Sequence, residues 1–126
     1  MKHASKLASV AVAAATASVT VLTMAAPARA ADHTLFSASG NAYGWYDDST
    51  DRIVMCDMVS GDGDGANASL QGGGRAWGGY NAFNGCESEG GVTDGVSVVM
   101  TVCDRTWSAA MQMRTLTGCR SVSFTS

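Results

Sequence analysis

The sequence predicts an all-β fold: a small antiparallel β-sandwich, immunoglobulin-like or related, stapled by two disulfides. Three observations carry this. In Gly95 to Trp107, the residues Val96, Val98, Met100 and Val102 alternate with Ser97, Val99, Thr101 and Cys103, the period-two, β-branched pattern of a strand with one face buried. Turn-forming clusters interrupt the chain every 8 to 12 residues or so, the spacing of short strands in a sandwich or barrel. All four cysteines lie downstream of an export signal, where an even number reads as a disulfide framework.

That export signal occupies residues 1–30. Lys2, His3 and Lys6 give a positive start, Leu7 to Ala26 is an uncharged run rich in Ala, Val, Ser and Thr, and Ala28-Arg29-Ala30 is a small-x-small cleavage site. The run is long enough to span a bilayer. Its dilution with Ala, Ser and Thr, and the polar Ala31-Asp32-His33-Thr34 directly after the site, favour cleavage over anchoring. The expected product is one secreted, extracellular domain, residues 31–126, of 96 residues out of 126, enough for a modest core.

Cleavage changes the charge. Of the eight Lys and Arg, Lys2, Lys6 and Arg29 leave with the signal, so five arginines face eleven acids and the net charge is −6. No lysine remains. Nucleic-acid binding rests on clustered Lys and Arg neutralising phosphates, so no nucleic-acid partner is expected. The same argument speaks against an anionic membrane face once the signal is gone.

Within the domain, Thr34 to Ser39 is a candidate edge strand ending in the turn tripeptide Ser39-Gly40-Asn41. Ala42 to Asp47, with Tyr43, Trp45 and Tyr46, completes a hairpin, and Asp47 to Asp51 is a polar connection. Arg52 to Val59 is a second strong strand: Val54, Cys56 and Met58 alternate with Ile53, Met55 and Asp57, so an aspartate sits where the pattern wants an apolar side chain. Ser60 to Gly65 is a Gly/Asp loop and Ala66 to Gln71 a weak strand. After Gly72-Gly73-Gly74, the stretch Arg75 to Phe83 spaces its aromatics three apart but holds too many glycines for a helix. Asn84-Gly85 turns into Cys86, and Glu87 to Asp94 is an acidic crossing. Beyond Trp107, Ala109 to Thr117 resumes extended structure, although Ser108 to Leu116 also suits a short helix by propensity. Gly118 is expected to turn the chain into a last short strand, Cys119 to Phe124.

Four cysteines allow three pairings. The sequential one, Cys56 with Cys86 and Cys103 with Cys119, is favoured because the latter two flank an expected hairpin. A Cys56–Cys103 bridge between two central strands stays open. Each closed loop is worth roughly 3 kcal/mol by loop entropy.

Cys56-Asp57 followed by Asp64-Gly65, then Asn84-Gly85-Cys86, Val102-Cys103 and Gly118-Cys119 resemble a family of small secreted proteins of Streptomyces and related actinobacteria. The resemblance runs from about Gly40 to the C-terminus; it implies export and a two-bridge β-fold, and it supplies no active site. Asn67-Ala68-Ser69, a glycosylation sequon in a eukaryotic host, would have no such use in a bacterium. Arg75, Trp77 and Tyr80 are spread among glycines, unlike the contiguous triplet of the tendamistat-type amylase inhibitors. The cysteine spacings, 30 and 16, also depart from the short bridged loops of the enediyne-carrier apoproteins.

No catalytic centre stands out. His33 is the only histidine after residue 30, and a serine nucleophile needs a base beside it. Cysteines committed to bridges leave no zinc set. Asp57, Asp62 and Asp64 have oxygen ligands to offer calcium, but the spacing departs from the EF-hand loop, with Ala66 where, after Asp62 and Asp64, the next side-chain oxygen would stand and no Glu at the twelfth position; a turn with Asp57 bonding backbone amides is the simpler reading. Glu87 and Glu89 on a Gly-rich segment read as solvated surface rather than as a glycosidase pair. No cofactor or metal is expected.

The aromatics are the surplus. Tyr43, Trp45, Tyr46, Trp77, Tyr80 and Phe83 suit either core packing or a stacking surface for sugars or a protein, with Trp45, Tyr46, Trp77 and Tyr80 as the candidate binding residues. The expected function is that of a monomeric, non-enzymatic extracellular module binding a glycan or a secreted protein. The alternative is a secreted enzyme inhibitor or antimicrobial protein presenting Gly72 to Asn84 as a loop.

Overall fold

A computed structural model of the protein describes residues 32–126. The signal segment and its cleavage site, residues 1–30, and the expected start at Ala31 lie outside the described residues. Eight strands follow in order: β1 (His33–Phe36), β2 (Ala42–Asp47), β3 (Arg52–Asp57), β4 (Gly65–Gly72), β5 (Arg75–Ala82), β6 (Cys86–Gly90), β7 (Ser97–Ser108) and β8 (Met113–Thr125). They form two four-stranded antiparallel sheets, ordered β1-β2-β3-β6 and β5-β4-β7-β8.

Alternation places the core between the sheets. Val98, Met100 and Val102 of β7 are fully buried, as are Ala66, Ala68 and Leu70 of β4, and they face Ala42, Tyr46, Ile53 and Met55 of the other sheet. Gly44, between Ala42 and Tyr46 on the inward face, is what lets the sheets meet: a Cβ there would collide with Val102 Cγ2 and lie 3.3 Å from Ala68 Cβ.

The two flanks of the sandwich close differently. Between β5 and β6, the Trp77 indole nitrogen donates to Gly91 O at 3.0 Å, and the Gly78 amide donates to a Glu89 carboxylate oxygen. Between β1 and β8, His33 stacks on Phe124 with ring centroids 3.9 Å apart, and the Ala38 amide donates to Gly118 O.

Both bridges are the sequential ones, Cys56–Cys86 and Cys103–Cys119. Each joins neighbouring strands of one sheet, β3 to β6 and β7 to β8, so the inter-sheet Cys56–Cys103 alternative does not occur.

Four expectations about elements are corrected. Arg75–Ala82 is strand β5 paired to β4 rather than a free loop. Its period is broken by a bulge: one β4 residue, Ala68, lies opposite Gly79 and Tyr80, and Gly78 and Gly79 both take positive φ. The Asn67 side chain donates to the carbonyls of Gly79 and Tyr80 and to Asn81 Oδ1, which holds that bulge and engages the sequon amide. The first part of the crossing expected over Glu87 to Asp94 belongs instead to edge strand β6, and its acids are tolerated because an edge has one open side. Gly118 is no turn; it sits with φ +58° in one continuous β8, opposite the register shift between Val102 and Asp104. The helical alternative for Ser108 to Leu116 gives way to the turn and the start of β8.

Candidate functional site

The residues proposed to bind do not share a surface. Tyr46 is wholly buried and packs at a tilt against Phe124, with centroids 5.3 Å apart. Trp77 is also a core side chain, held by its Gly91 hydrogen bond, with the Arg75 guanidinium 5.4 Å from its ring. Of the four, these two are corrected to core: β2 turns Tyr46 inward by alternation, and β5 uses Trp77 to seal the sandwich flank. Tyr80 is 56% exposed, at the β5 bulge. Trp45 is half-buried on the outer face of the opposite sheet, with Tyr43.

That outer face is the aromatic surface the fold assembles. Phe36 pairs with Tyr43, Tyr43 with Cys56, and Cys56 with Cys86, making one row across all four strands. The neighbouring row is Thr34, Trp45, Val54 and Ser88. Phe36 and Tyr43 lie 4.8 Å apart between ring centroids. Met58, 54% exposed, continues the face past the end of β3, where its amide bonds Asn41 O. With strands about 4.8 Å apart, the face is about 14 Å wide. The Cys56–Cys86 bridge joins β3 to β6, and the aromatics stand beside them on the hydrogen-bonded strands β1 and β2 rather than on a loop.

Sequence reasoning missed Phe36 and Val54 here. The signal was present: a hairpin turning at Ser39-Gly40-Asn41 puts Phe36 opposite Tyr43, and strand alternation puts Val54 beside Trp45.

The polar candidates are occupied with structure. Asp57 is buried; one carboxylate oxygen accepts from the Val59 amide at 3.1 Å and the other from the Asn84 amide at 2.9 Å. This explains its place in an apolar pattern, since it ties the end of β3 to the turn before Cys86. Asp62 accepts from the Asp64 amide at 2.9 Å, and Asp64 faces Arg114 at 3.9 Å. Among the described residues, no group of three or more His, Cys, Asp or Glu side chains is placed to share a metal ion.

A buried knot that the sequence did not announce lies at the other end of β1. Asp104 accepts from the Ser37 hydroxyl at 2.8 Å and the Ser39 hydroxyl at 2.7 Å, and Ser37 Oγ accepts from the Ala42 amide. The serines donate to a carboxylate and have no base beside them: His33 lies four residues along β1 from Ser37, about 13 Å away along an extended strand, stacked on Phe124. The knot anchors the β1–β2 hairpin to β7 and is not built for nucleophilic attack.

At the opposite end, a hydrogen bond between the Asp51 and Asp94 carboxyls raises the Asp51 pKa, with the Asp48 and Asp47 charges adding to it. Burial, followed by the charges of Asp48, Asp51, Asp94 and Asp47, pushes the Tyr46 hydroxyl up to about 12. That hydroxyl is buried without a hydrogen-bond partner among the described residues.

No family model, no curated protein and no solved structure matches the chain.

Proposed function

We propose that the protein is a non-enzymatic extracellular interaction module that binds a glycan through the outer face of the β1-β2-β3-β6 sheet. The observation that carries this reading is the paired rows Phe36–Tyr43–Cys56–Cys86 and Thr34–Trp45–Val54–Ser88. Aromatic rings on the outer face of a sheet braced at its β3–β6 edge offer π-faces to the C–H faces of sugar rings. Hydroxyls at the margins, on Thr34 and Ser88, offer hydrogen bonds beside them.

The two disulfides fit an extracellular setting, and secretion through the expected signal accounts for them. A deep cleft is not part of this reading. The depression lined by Gln71, Gly72, Gly74, Arg75, Ala76 and Val99 is open and lies on the other sheet.

The test is retention of the oxidised domain on chitin, cellulose and isolated cell wall, with a total secreted-protein fraction as a separate bait. Retention on one polysaccharide that Trp45→Ala abolishes supports the reading. Capture of one secreted protein through the same face would move the partner class from glycan to protein, and retention indifferent to Trp45 would remove the face from the account.

A further inference from the structure

The charges of the domain are segregated along the chain. All eleven acids lie at or before Asp104, with only Arg52 and Arg75 among the described residues to offset them, a balance of −9; residues 105–126 hold Arg105, Arg114 and Arg120 and no acid, a balance of +3. The average of −6 hides a cationic C-terminal hairpin.

That hairpin outruns the sandwich. Pairing of β4 with β7 ends at Gly65–Arg105, whereas β7 and β8 continue together through Thr106–Thr115, Trp107–Arg114 and Ser108–Met113 to the turn at 109–112. Three residue levels at about 3.4 Å each carry the turn roughly 10 Å beyond the last three-stranded level.

The projecting end is apolar and unpacked. Trp107, Met111, Met113 and Leu116 are 57%, 61%, 55% and 50% exposed. From Trp107 to Met113 the chain carries no charge. Trp107 and Leu116 share one face with Arg105 and Arg114, Met113 is on the opposite face, and Met111 is in the turn. Behind the tip, the guanidinium carbons of Arg105 and Arg114 lie 5.7 and 5.2 Å from the Phe83 ring centroid.

We propose that the β7–β8 hairpin is a membrane-docking arm. It seats Trp107, Met111 and Met113 in the interface of an anionic bilayer, with Arg105 and Arg114 at headgroup level. The arrangement selects a bilayer over a protein groove because apolar side chains leave the tip on both faces. A groove covers one face; an interfacial medium surrounds the tip. Tryptophan suits that depth, being apolar with one donor for the headgroup region, and arginines behind an apolar end favour anionic lipid. One acid of the body does reach the arm: Asp64 lies 3.9 Å from Arg114, a solvent-accessible pair of the kind worth little in water, so Arg114 can exchange that carboxylate for a lipid phosphate. Acids farther than about 8 Å are largely screened at physiological salt.

This site is distinct from the aromatic face of the other sheet, and its test is independent. The oxidised domain is mixed with vesicles of equal parts phosphatidylglycerol and phosphatidylcholine, with pure phosphatidylcholine vesicles, and with soluble dextran sulfate. The expected result is cosedimentation with the anionic vesicles only, weakening as salt rises. Binding falls at least tenfold in Trp107→Ser/Met111→Ser and in Arg105→Gln/Arg114→Gln, and is unchanged in Trp45→Ala. Trp107→Phe, which keeps the fold and an apolar tip, retains binding but loses the fluorescence quenching that shallow brominated lipid produces in the wild type. Absence of vesicle binding, binding indifferent to Trp107 and Met111, or equal binding to dextran sulfate with the same variant dependence overturns the proposal.

Discussion

Phe36 and Tyr43 stand opposite one another across the β1–β2 hairpin, ring centroids 4.8 Å apart, on the face of the sheet that points away from the core. Phe36 keeps 44% of its surface exposed there. A cross-strand aromatic pair stabilises a hairpin by several tenths of a kcal/mol up to about 1, but a second such row, Trp45 beside Val54, is more apolar surface than the hairpin needs. The fold thus holds its aromatics in two sets with different work: Tyr46 and Trp77 close the core, and Phe36, Tyr43 and Trp45 face outward.

Gly44 separates those sets, and its substitution should show it. With no room for a Cβ against Val102 and Ala68, Gly44→Ala is expected to cost about 2 kcal/mol or more through overpacking. Its outward neighbour Tyr43→Ala should cost about 1 kcal/mol or less. Urea denaturation followed by circular dichroism measures both, and equal costs would mean that the sheets are not in contact at Gly44.

Asp104 should be worth more than its solvent-exposed counterparts. Asp104→Ala leaves the buried Ser37 hydroxyl and its neighbour Ser39 without their acceptor, a loss of about 2–3 kcal/mol. Asp62→Ala, on an exposed loop, should lie within about 0.5 kcal/mol of wild type. Thermal unfolding of the two variants side by side decides the matter.

Tyr46→Phe runs against the usual direction for a buried residue. The hydroxyl is buried without a partner, so its removal should leave stability unchanged or raise it by up to about 1 kcal/mol. The pH dependence follows from the pKa near 12. The folded state keeps a proton that the unfolded chain loses near pH 10, so this contribution is complete below pH 10 and disappears as pH climbs through 12. Alkaline denaturation curves of wild type should fall over that window, and Tyr46→Phe should lack that part of the slope.

The Asp51–Asp94 contact predicts a shallow slope on the acid side. Asp51 is raised by its hydrogen bond with Asp94, so the folded state binds the proton more tightly than the unfolded chain. That contribution is present below the ordinary carboxyl value of about 3.9 and is lost as pH rises through the raised one. Asp94→Asn, which offers an amide donor to a charged Asp51, should flatten or reverse this portion of the stability profile, read by denaturant midpoint against pH.

What the sequence made legible was local. Alternation from Val96 to Val102 identified the buried face of β7, and the expected hairpin before Cys119 chose the disulfide pairing correctly. Asp57 was also readable as an amide-bonding turn residue. Three kinds of feature were not. The bulge at Gly79 and Tyr80 interrupts period two, so β5 did not look like a strand, and β6 carries the acids an edge tolerates. Contacts between distant residues, such as Asp104 with Ser37, 67 residues apart, leave no local trace. Finally, alternation can say that Trp45 and Tyr46 face opposite ways, but only the packing of one sheet on the other says which faces out; from sequence alone Tyr46 and Trp77 are indistinguishable from Trp45 and Tyr80.

The central claim is that the outer face of the β1-β2-β3-β6 sheet is the binding surface, and the most direct test is a comparison of binding isotherms on the polysaccharide that retains the domain. Wild type, Tyr43→Ala, Trp45→Ala and Tyr80→Ala are measured together, each checked for an unchanged fold. A loss of at least tenfold for Tyr43→Ala and Trp45→Ala, about 1.4 kcal/mol each, with Tyr80→Ala unaffected, is the predicted result. Full affinity in the two outer-face variants, or a loss confined to Tyr80→Ala, would contradict it.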